Sequence, residues 1–587
     1  MAVVWQILLE AGLILILPLV FYRPVTEQFS TPKIIVTEWL VVAGLAVAAI
    51  TYFWRRGPAP RLHFAWPIAL LACSVLLSCV NSPSPEFSLD QARYFLCGPA
   101  WLLILFSFPN GPSTLRRLSL LMASAGTLVA IITLAQWLGH DPLVFGGFQV
   151  AQGKLVDRMA LYSTFGNPNL VAGYLVGVVF IVLALGLVAQ GLAAKLVWFA
   201  SAAAIVLAIV GTQSHGAWAA LILGFLTWLW LLRSRPAPNP EIVNTASAIP
   251  GHAGLKSSIC LLFFPPTFIG LAVPMFSNLP ERLMDQLTGR MYLWRVSWPL
   301  FAQHPLLGCG WGSFQLRFLE LQARFLAAHP DQAGYWSNIA QLHNDPLQLL
   351  LETGVLGLGA FVWLLWAYSK ELREGLIAGD SQTRHLLAAS AGGMAAILAD
   401  SVFNFQFAVP PTLILIFTLM AFPALISAPD KDHGQPPSLR SMSLRVLASL
   451  AALVCAAFLC MQTAQFAGAE IDYARGVRFE MAGDAGLNEA EQAYRDGLAL
   501  NPRSGRIHYG LSRVLYMQQK LPSALAEAEL AEQTPFLDSH LEILKARIQV
   551  AMGLNSAALV TYGHALALEP ALKILQGEIA PLERKTK

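Results

Sequence analysis

The chain has 587 residues, of which 56% are hydrophobic and only 12% charged, against about 25% charged in ordinary soluble domains. That balance excludes a soluble multidomain protein of this length, which would need far more polar surface. A formal net charge of +3 gives no reason to expect a nucleic-acid partner.

The first apolar run, Trp5 to Tyr22, has no basic leader, contains Glu10 and lacks a small-residue cleavage site. It reads as a retained helix rather than a signal peptide. Further windows long enough to cross a bilayer fall near 34–54, 63–80, 92–108, 117–138, 168–190, 194–212, 216–232, 258–276, 353–368, 385–404, 406–427 and 444–464. With the first run they make thirteen. Six of the seven cysteines lie in apolar stretches and none forms a C-x-x-C pair, so buried membrane cysteine is the expectation.

Short cytoplasmic loops collect Lys and Arg. An inside N-terminus places Arg55, Arg56 and Arg61, then Arg116 and Arg117, Lys195, Arg233 with Arg235 and Lys256, Lys370 with Arg373 and Arg384, and Lys431 with Arg440 and Arg445 on that side. The outer loops are poorer, although Arg23, Lys33, Arg93, Lys154 and Arg158 fall there. The bias puts the long 277–348 segment and everything after residue 465 on a periplasm-like side. The expected fold is all-α: a polytopic membrane bundle of about 12–14 transmembrane helices, with a periplasmic loop subdomain and a C-terminal helical-repeat domain. The expected divisions are a bundle over 1–430 containing the loop, a linker and last membrane helix over 431–465, and the repeats over 466–587.

The tail has its own period. Pro502 and Pro570 close the similar phrases Gly-Leu-Ala-Leu-Asn-Pro and Ala-Leu-Ala-Leu-Glu-Pro, and 570 − 502 = 68, twice the tetratricopeptide repeat of about 34 residues. Ala490 and Tyr494 recur as Ala558 and Tyr562, and Pro535 marks an imperfect unit between them. Such pairs stack either into a concave partner-binding solenoid or into a helical cap with no partner.

Four polar stretches interrupt the apolar pattern. In Leu342-His343-Asn344-Asp345-Pro346-Leu347-Gln348, Asp345 followed by Pro346 reads as a helix cap and first turn, with Gln348 completing a capping box. His343 then sits ahead of a helix N-terminus, whose dipole disfavours imidazolium and keeps the ring neutral. A neutral imidazole beside an anion site suits a general base, while spacing alone fits a surface loop histidine as well. In the same outer segment, Arg290 and Arg295 can pair with phosphate oxygens or snorkel to lipid headgroups. Phe165-Gly166-Asn167-Pro168-Asn169 and Thr212-Gln213-Ser214-His215-Gly216 lie at helix ends, where turn chemistry is the plain reading. Asp400, Asn404 and Gln406 share a helix junction and the same ambiguity.

Together these stretches resemble the O-antigen ligase and polymerase superfamily, which includes bacterial protein O-oligosaccharyltransferases. The resemblance spans roughly residues 1–430 and rests on Asn167-Pro168-Asn169, Arg290 with Trp294, His304-Pro305-Leu306-Leu307-Gly308, and His343-Asn344-Asp345 leading to Glu352-x-Gly354, in the family's order. Members with C-terminal tetratricopeptide repeats fit the tail. The resemblance implies a metal-independent, cofactor-free, inverting glycosyltransferase of the bacterial inner membrane. Its donor would be an undecaprenyl-pyrophosphate-linked glycan. Its acceptor would be a glycan, a lipid A core or a pilin-like protein, with a further protein partner open to the repeats. His343 resembles the base acting on the acceptor hydroxyl. Arg290, with Arg295, resembles the pyrophosphate clamp, and Asn167 and Asn169 join the glycan site. One departure stands out. Relatives read Ser-Arg-Gly-Ala where this chain has Ser214-His215-Gly216-Ala217, so His215, or another cation such as Arg158, would take that arginine's place. The reading from a different class is a transporter of a small solute such as bicarbonate, which should show paired broken helices and midplane charges.

Overall fold

The computed structural model describes residues 2–54, 63–108, 110–143, 158–234, 279–426, 439–534, 536, 538–572 and 575–586. The apolar window 258–276, Pro535 and the basic residues Arg55, Arg56, Arg61, Lys154, Arg235, Lys256 and Lys431 lie outside them.

Twelve of the thirteen apolar windows coincide with helices. They are α1 (Ala2–Glu10, prolonged to Leu19 by a π turn and a 3-10 turn), α2 (Thr31–Trp54), α3 (Ala65–Ser78), α4 (Pro85–Ser107), α5 (Pro112–Trp137), α6 (Pro168–Val188), α7 (Leu192–Gly211), α8 (His215–Arg233), α11 (Asp345–Ala378), α12 (Ser381–Ser401), α13 (Pro410–Leu425) and α14 (Leu439–Glu480). The loop segment between α8 and α11 contains α9 (Leu279–Gln303) and α10 (Phe314–Ala328). Among the described residues seven helices are long and apolar enough to cross a bilayer, and three shorter ones are apolar. The chain is an all-α polytopic membrane protein.

Helices α6 and α13 are apolar all round and buried on nearly every side. In a bundle that pattern marks the centre. Around them pack α5, α7, α8 and α12 on one side and α2, α4 and α11 on the other. Two buried glutamates of the bundle are paired with arginines. Glu10 accepts from Gln6 at 2.9 Å and from Arg117, and Glu38 accepts from Arg93 at 2.9 Å and from Thr463 at 2.8 Å. The second cluster ties α2, α4 and α14 together. An unpaired buried carboxylate would cost several kcal/mol, on the order of 3–5.

The loop segment has a small core of its own, with Tyr292, Val296, Leu300, Phe314, Phe318 and Leu342 buried. It is anchored to the end of α3. Ser78 Oγ accepts from Trp311 N at 3.1 Å, Asn81 Nδ2 donates to Gly308 O at 2.9 Å, and Arg317 Nη2 donates to Asn81 O at 2.8 Å. The His304–Gly308 phrase lies along a break in α11 at Gly354, whose φ is 65°. Main-chain bonds run from Cys309 N to Leu351 O at 2.9 Å, from Gly310 N to Glu352 O at 3.1 Å and from Val355 N to Pro305 O at 2.9 Å. A Cβ at Gly354 would stand 2.2 Å from Leu306 O, so glycine is needed there for both the conformation and the close approach.

Helix α14 continues without a break from its apolar half into the tail. There α15 (Leu487–Leu500), α16 (Gly505–Met517), α17 (Leu521–Gln533), α18 (Ser539–Ala551), α19 (Asn555–Leu568) and α20 (Leu575–Thr586) pack consecutively. The recurring pairs are buried alike: Ala490 and Tyr494 are both 0% exposed, Ala558 0% and Tyr562 1%. Each tyrosine donates to a glutamate, Tyr494 to Glu480 at 2.9 Å and Tyr562 to Glu578 at 2.6 Å. The tail rests on the loop segment, where Trp336 Nε1 donates to Leu568 O at 2.8 Å, and on the start of α4, where Arg503 pairs with Glu86.

Candidate active site

Helix α11 begins one residue earlier in its capping than the sequence suggests. Asn344, not Asp345, is the cap: its Oδ1 accepts from Leu347 N at 2.9 Å, and Asp345 is already helical. Gln348 does not close a capping box with Asp345. Its Oε1 takes Leu342 N at 2.9 Å, fixing the strand of chain just before the cap. Asp345 is released for another task. It is buried, and its Oδ2 accepts from Phe407 N at 3.1 Å, so it pins the α12–α13 junction to the start of α11.

His343 stands between these two constraints in the left-handed region, at φ 56°. A branch-free but bulky side chain seldom sits there, and such residues cluster at functional sites. Its ring meets Phe405 edge-on, with centroids 5.0 Å apart. Burial, aided by the nearby Arg290 cation, lowers its pKa from 6.5 to about 4. The ring is therefore neutral near pH 7. The neutrality expected from the helix dipole is present, but desolvation and a neighbouring charge account for it.

Arg290 enters from α9. Its guanidinium lies 5.4 Å over the Phe403 ring. Burial pulls its pKa down while the Asp400 carboxylate pulls it up, and an arginine stays charged under both. Asp400 is fully buried at the end of α12, accepting from Asn404 Nδ2 at 2.9 Å and Gln406 Nε2 at 2.5 Å. The segment Asp400–Ala408 thus collects one carboxylate, two amides and three aromatic rings, of which Phe403 meets Arg290 and Phe405 meets His343.

Two other elements reach this turn. A Cβ at Gly216 would lie 3.3 Å from Asp400 Oδ1, and one at Gly173 would lie 2.7 Å from Asp400 Oδ2. The first contact brings the start of α8, hence His215, alongside. His215 packs edge-on against Trp218 at 5.2 Å. The second brings the first turns of α6. There Asn167 caps the helix by accepting from Asn169 N at 2.9 Å, and Arg158 Nη2 donates to Asn169 Oδ1 at 2.6 Å. Lys33, from α2, holds this entrance by donating to Thr164 O at 2.5 Å.

Arg295 is placed elsewhere. Five residues beyond Arg290 on the same helix, it points about 140° away and covers Phe325 at 5.7 Å. It belongs to the loop segment's aromatic surface rather than to the group around His343. Glu352 is also structural. Its carboxylate accepts from Gly312 N at 2.8 Å, Phe314 N at 3.3 Å and Gln348 Nε2 at 3.2 Å, and so shapes the Gly308–Gly312 turn. Asp400 is the residue that sequence reasoning underweighted. An acid within four residues of an amide inside an apolar stretch was its signal.

The arrangement places a neutral imidazole, a charged guanidinium and a buried carboxylate together at one end of a membrane bundle. Residues 200–362 match the family model described as O-antigen ligase. That stretch contains His215, Arg290, Arg295 and His343, while Arg158, Asn167, Asn169 and Asp400 lie outside it. No curated protein matches the chain. Over that stretch the chain carries a domain similar to the O-antigen ligase family.

Proposed function

We propose that the protein is a glycosyltransferase that moves a glycan from a polyprenyl pyrophosphate onto a hydroxyl acceptor with inversion at the anomeric carbon. The observation that carries this reading is the pairing of a neutral, buried His343 with the Arg290 cation beside it. The acceptor oxygen attacks the anomeric carbon as its proton passes to a ring nitrogen of His343. The bond from that carbon to the pyrophosphate oxygen breaks, and the charge that gathers on the leaving group meets Arg290. Inversion follows from a single displacement with no covalent enzyme intermediate.

Donor binding also tunes the base. A pyrophosphate beside Arg290 offsets the charge that depresses His343, so the imidazole gains basicity when the donor is in place. We assign His215, Arg158, Asn167 and Asn169 to the donor's pyrophosphate or glycan, on the grounds that α8 and α6 abut the Asp400 turn. The site and the tail are assigned to the periplasmic side by the Lys and Arg bias, and transfer is read as metal-independent. The tail helices are read as tetratricopeptide-like repeats that present a polymer or protein acceptor rather than lipid A core. The supporting feature is the shared burial and hydrogen bonding of the Tyr494 and Tyr562 units.

The test is transfer by the purified protein in liposomes, given a synthetic polyprenyl-pyrophosphate glycan and, separately, lipid A core, a polysaccharide and a pilin-like protein. Product with an inverted linkage, formed in the presence of a chelator, supports the reading. Solute uptake without glycosyl transfer would replace it with a transporter.

A further inference from the structure

Helix α9 has an inverted surface. Tyr292, Leu293, Val296 and Leu300 face the loop segment's core. The opposite face of a helix lying on a water-exposed loop should be polar. Here it carries Met284, Leu287, Met291 and Trp298, spaced by three, four and seven residues along one stripe. Met284 is 64% exposed, Met291 56% and Trp298 51%. Arg290 and Arg295 lie on the two edges of the stripe.

The stripe does not end with the helix. Leu306, in the turn three residues after the end of α9, is also exposed, and its carbonyl accepts from Leu356 N at 3.3 Å. Pro305 O accepts from Val355 N. Val355, Val362 and Trp366 form an exposed apolar face of α11, one of the helices long enough to span a bilayer. The surface of α9 is therefore continuous, through Leu306, with a surface whose solvent is lipid.

We infer that α9 lies on the bilayer, with Met284, Leu287, Met291 and Trp298 sunk into the outer edge of the hydrocarbon and Arg290 held at headgroup depth. An aromatic and three flexible apolar side chains between two arginines is the composition of an interfacial helix. The consequence deepens the proposed reaction and rests on it: a lipid-linked pyrophosphate travels at headgroup depth, so it would meet Arg290 without leaving the membrane. The lipid contact itself does not depend on any transfer.

The experiment places a benzophenone-bearing amino acid singly at Met284, Met291 or Trp298 in the otherwise unaltered full chain. The protein is reconstituted in vesicles of phosphatidylethanolamine and phosphatidylglycerol and irradiated. Val362 serves as the lipid-facing reference and Asp496, on the tail, as the water-facing one. Mass spectrometry should find phospholipid adducts at the three α9 positions in yields within about threefold of Val362, with none at Asp496. Adducts as scarce as at Asp496, or crosslinks to another segment of the chain, would overturn the inference. Because the adduct is read without turnover, its failure leaves the transfer reaction to be judged separately.

Discussion

Arg290 bears on His343 beside a pair of aromatic rings: the guanidinium lies over Phe403, the imidazole stands edge-on to Phe405, and the cation helps to hold the imidazole neutral. Removing the charge should therefore be felt by the base. In Arg290→Gln the His343 pKa should rise from about 4, since one of its two depressing causes is gone. Protonation disables a base, so activity is lost as pH falls through this pKa. The acid limb of the kcat/KM profile should move to higher pH in the variant, and an unmoved limb would separate the two residues.

The same arginine should matter to the leaving group. Arg290→Ala should lower transfer by about 2–4 kcal/mol at the transition state, the range for a lost charge-stabilising donor. Arg290→Lys should recover only part of this, because lysine lacks the planar fork. Wild-type turnover in Arg290→Ala would take the residue out of the site. Thermal unfolding of both variants in detergent checks that the bundle is intact.

Glu352 should behave oppositely. Its carboxylate satisfies two backbone N–H groups at the Gly312–Phe314 turn, and Glu352→Ala would leave both without that acceptor, Phe314 N in a buried position. The expected cost is about 1–3 kcal/mol for each orphaned group, read as a lower melting temperature. Glu352→Gln keeps one acceptor oxygen and should lie between. A variant that keeps wild-type stability but loses turnover would move Glu352 into the chemistry.

The tail contains a histidine of the other sign. His508 faces Glu527 with Nδ1 at 2.6 Å and Pro502 O with Nε2 at 2.9 Å. Burial alone would lower its pKa, but the two hydrogen bonds and the Glu527 charge outweigh it and raise the pKa above 6.5. A raised pKa stabilises the fold while the ring is protonated. The contribution is complete below about 6.5 and is lost as pH rises through the elevated folded value. Melting of the tail should fall over that rise, and His508→Gln should flatten the dependence. A wild-type tail whose stability is flat with pH would show that the ring is not cationic.

Much of this architecture is legible in composition. Apolar length located the twelve helices that could be compared, because hydrocarbon thickness leaves little freedom in span length. The tail's period of 68 likewise matched two tyrosines with the same burial and the same type of partner. What sequence could not resolve was which of several adjacent polar groups performs which task. Asn344 and Asp345 are both good caps, and only the demand of Phe407 N for an acceptor draws Asp345 away. Arg290 and Arg295 look equivalent in one dimension, yet five residues turn them to different faces of α9. His343 is neutral as expected, but its causes are burial and Arg290, neither of which can be seen without the fold. Asp400 was visible only as an unexplained acid in an apolar stretch.

The central claim is that His343 takes a proton and does not bind the donor. The direct measurement is donor affinity and single-turnover rate determined separately for His343→Ala in liposomes. The account predicts a rate lowered about 100-fold or more, the scale of general base catalysis, with donor affinity close to wild type. Weakened donor binding with a normal rate at saturating donor would contradict it and make His343 a ligand.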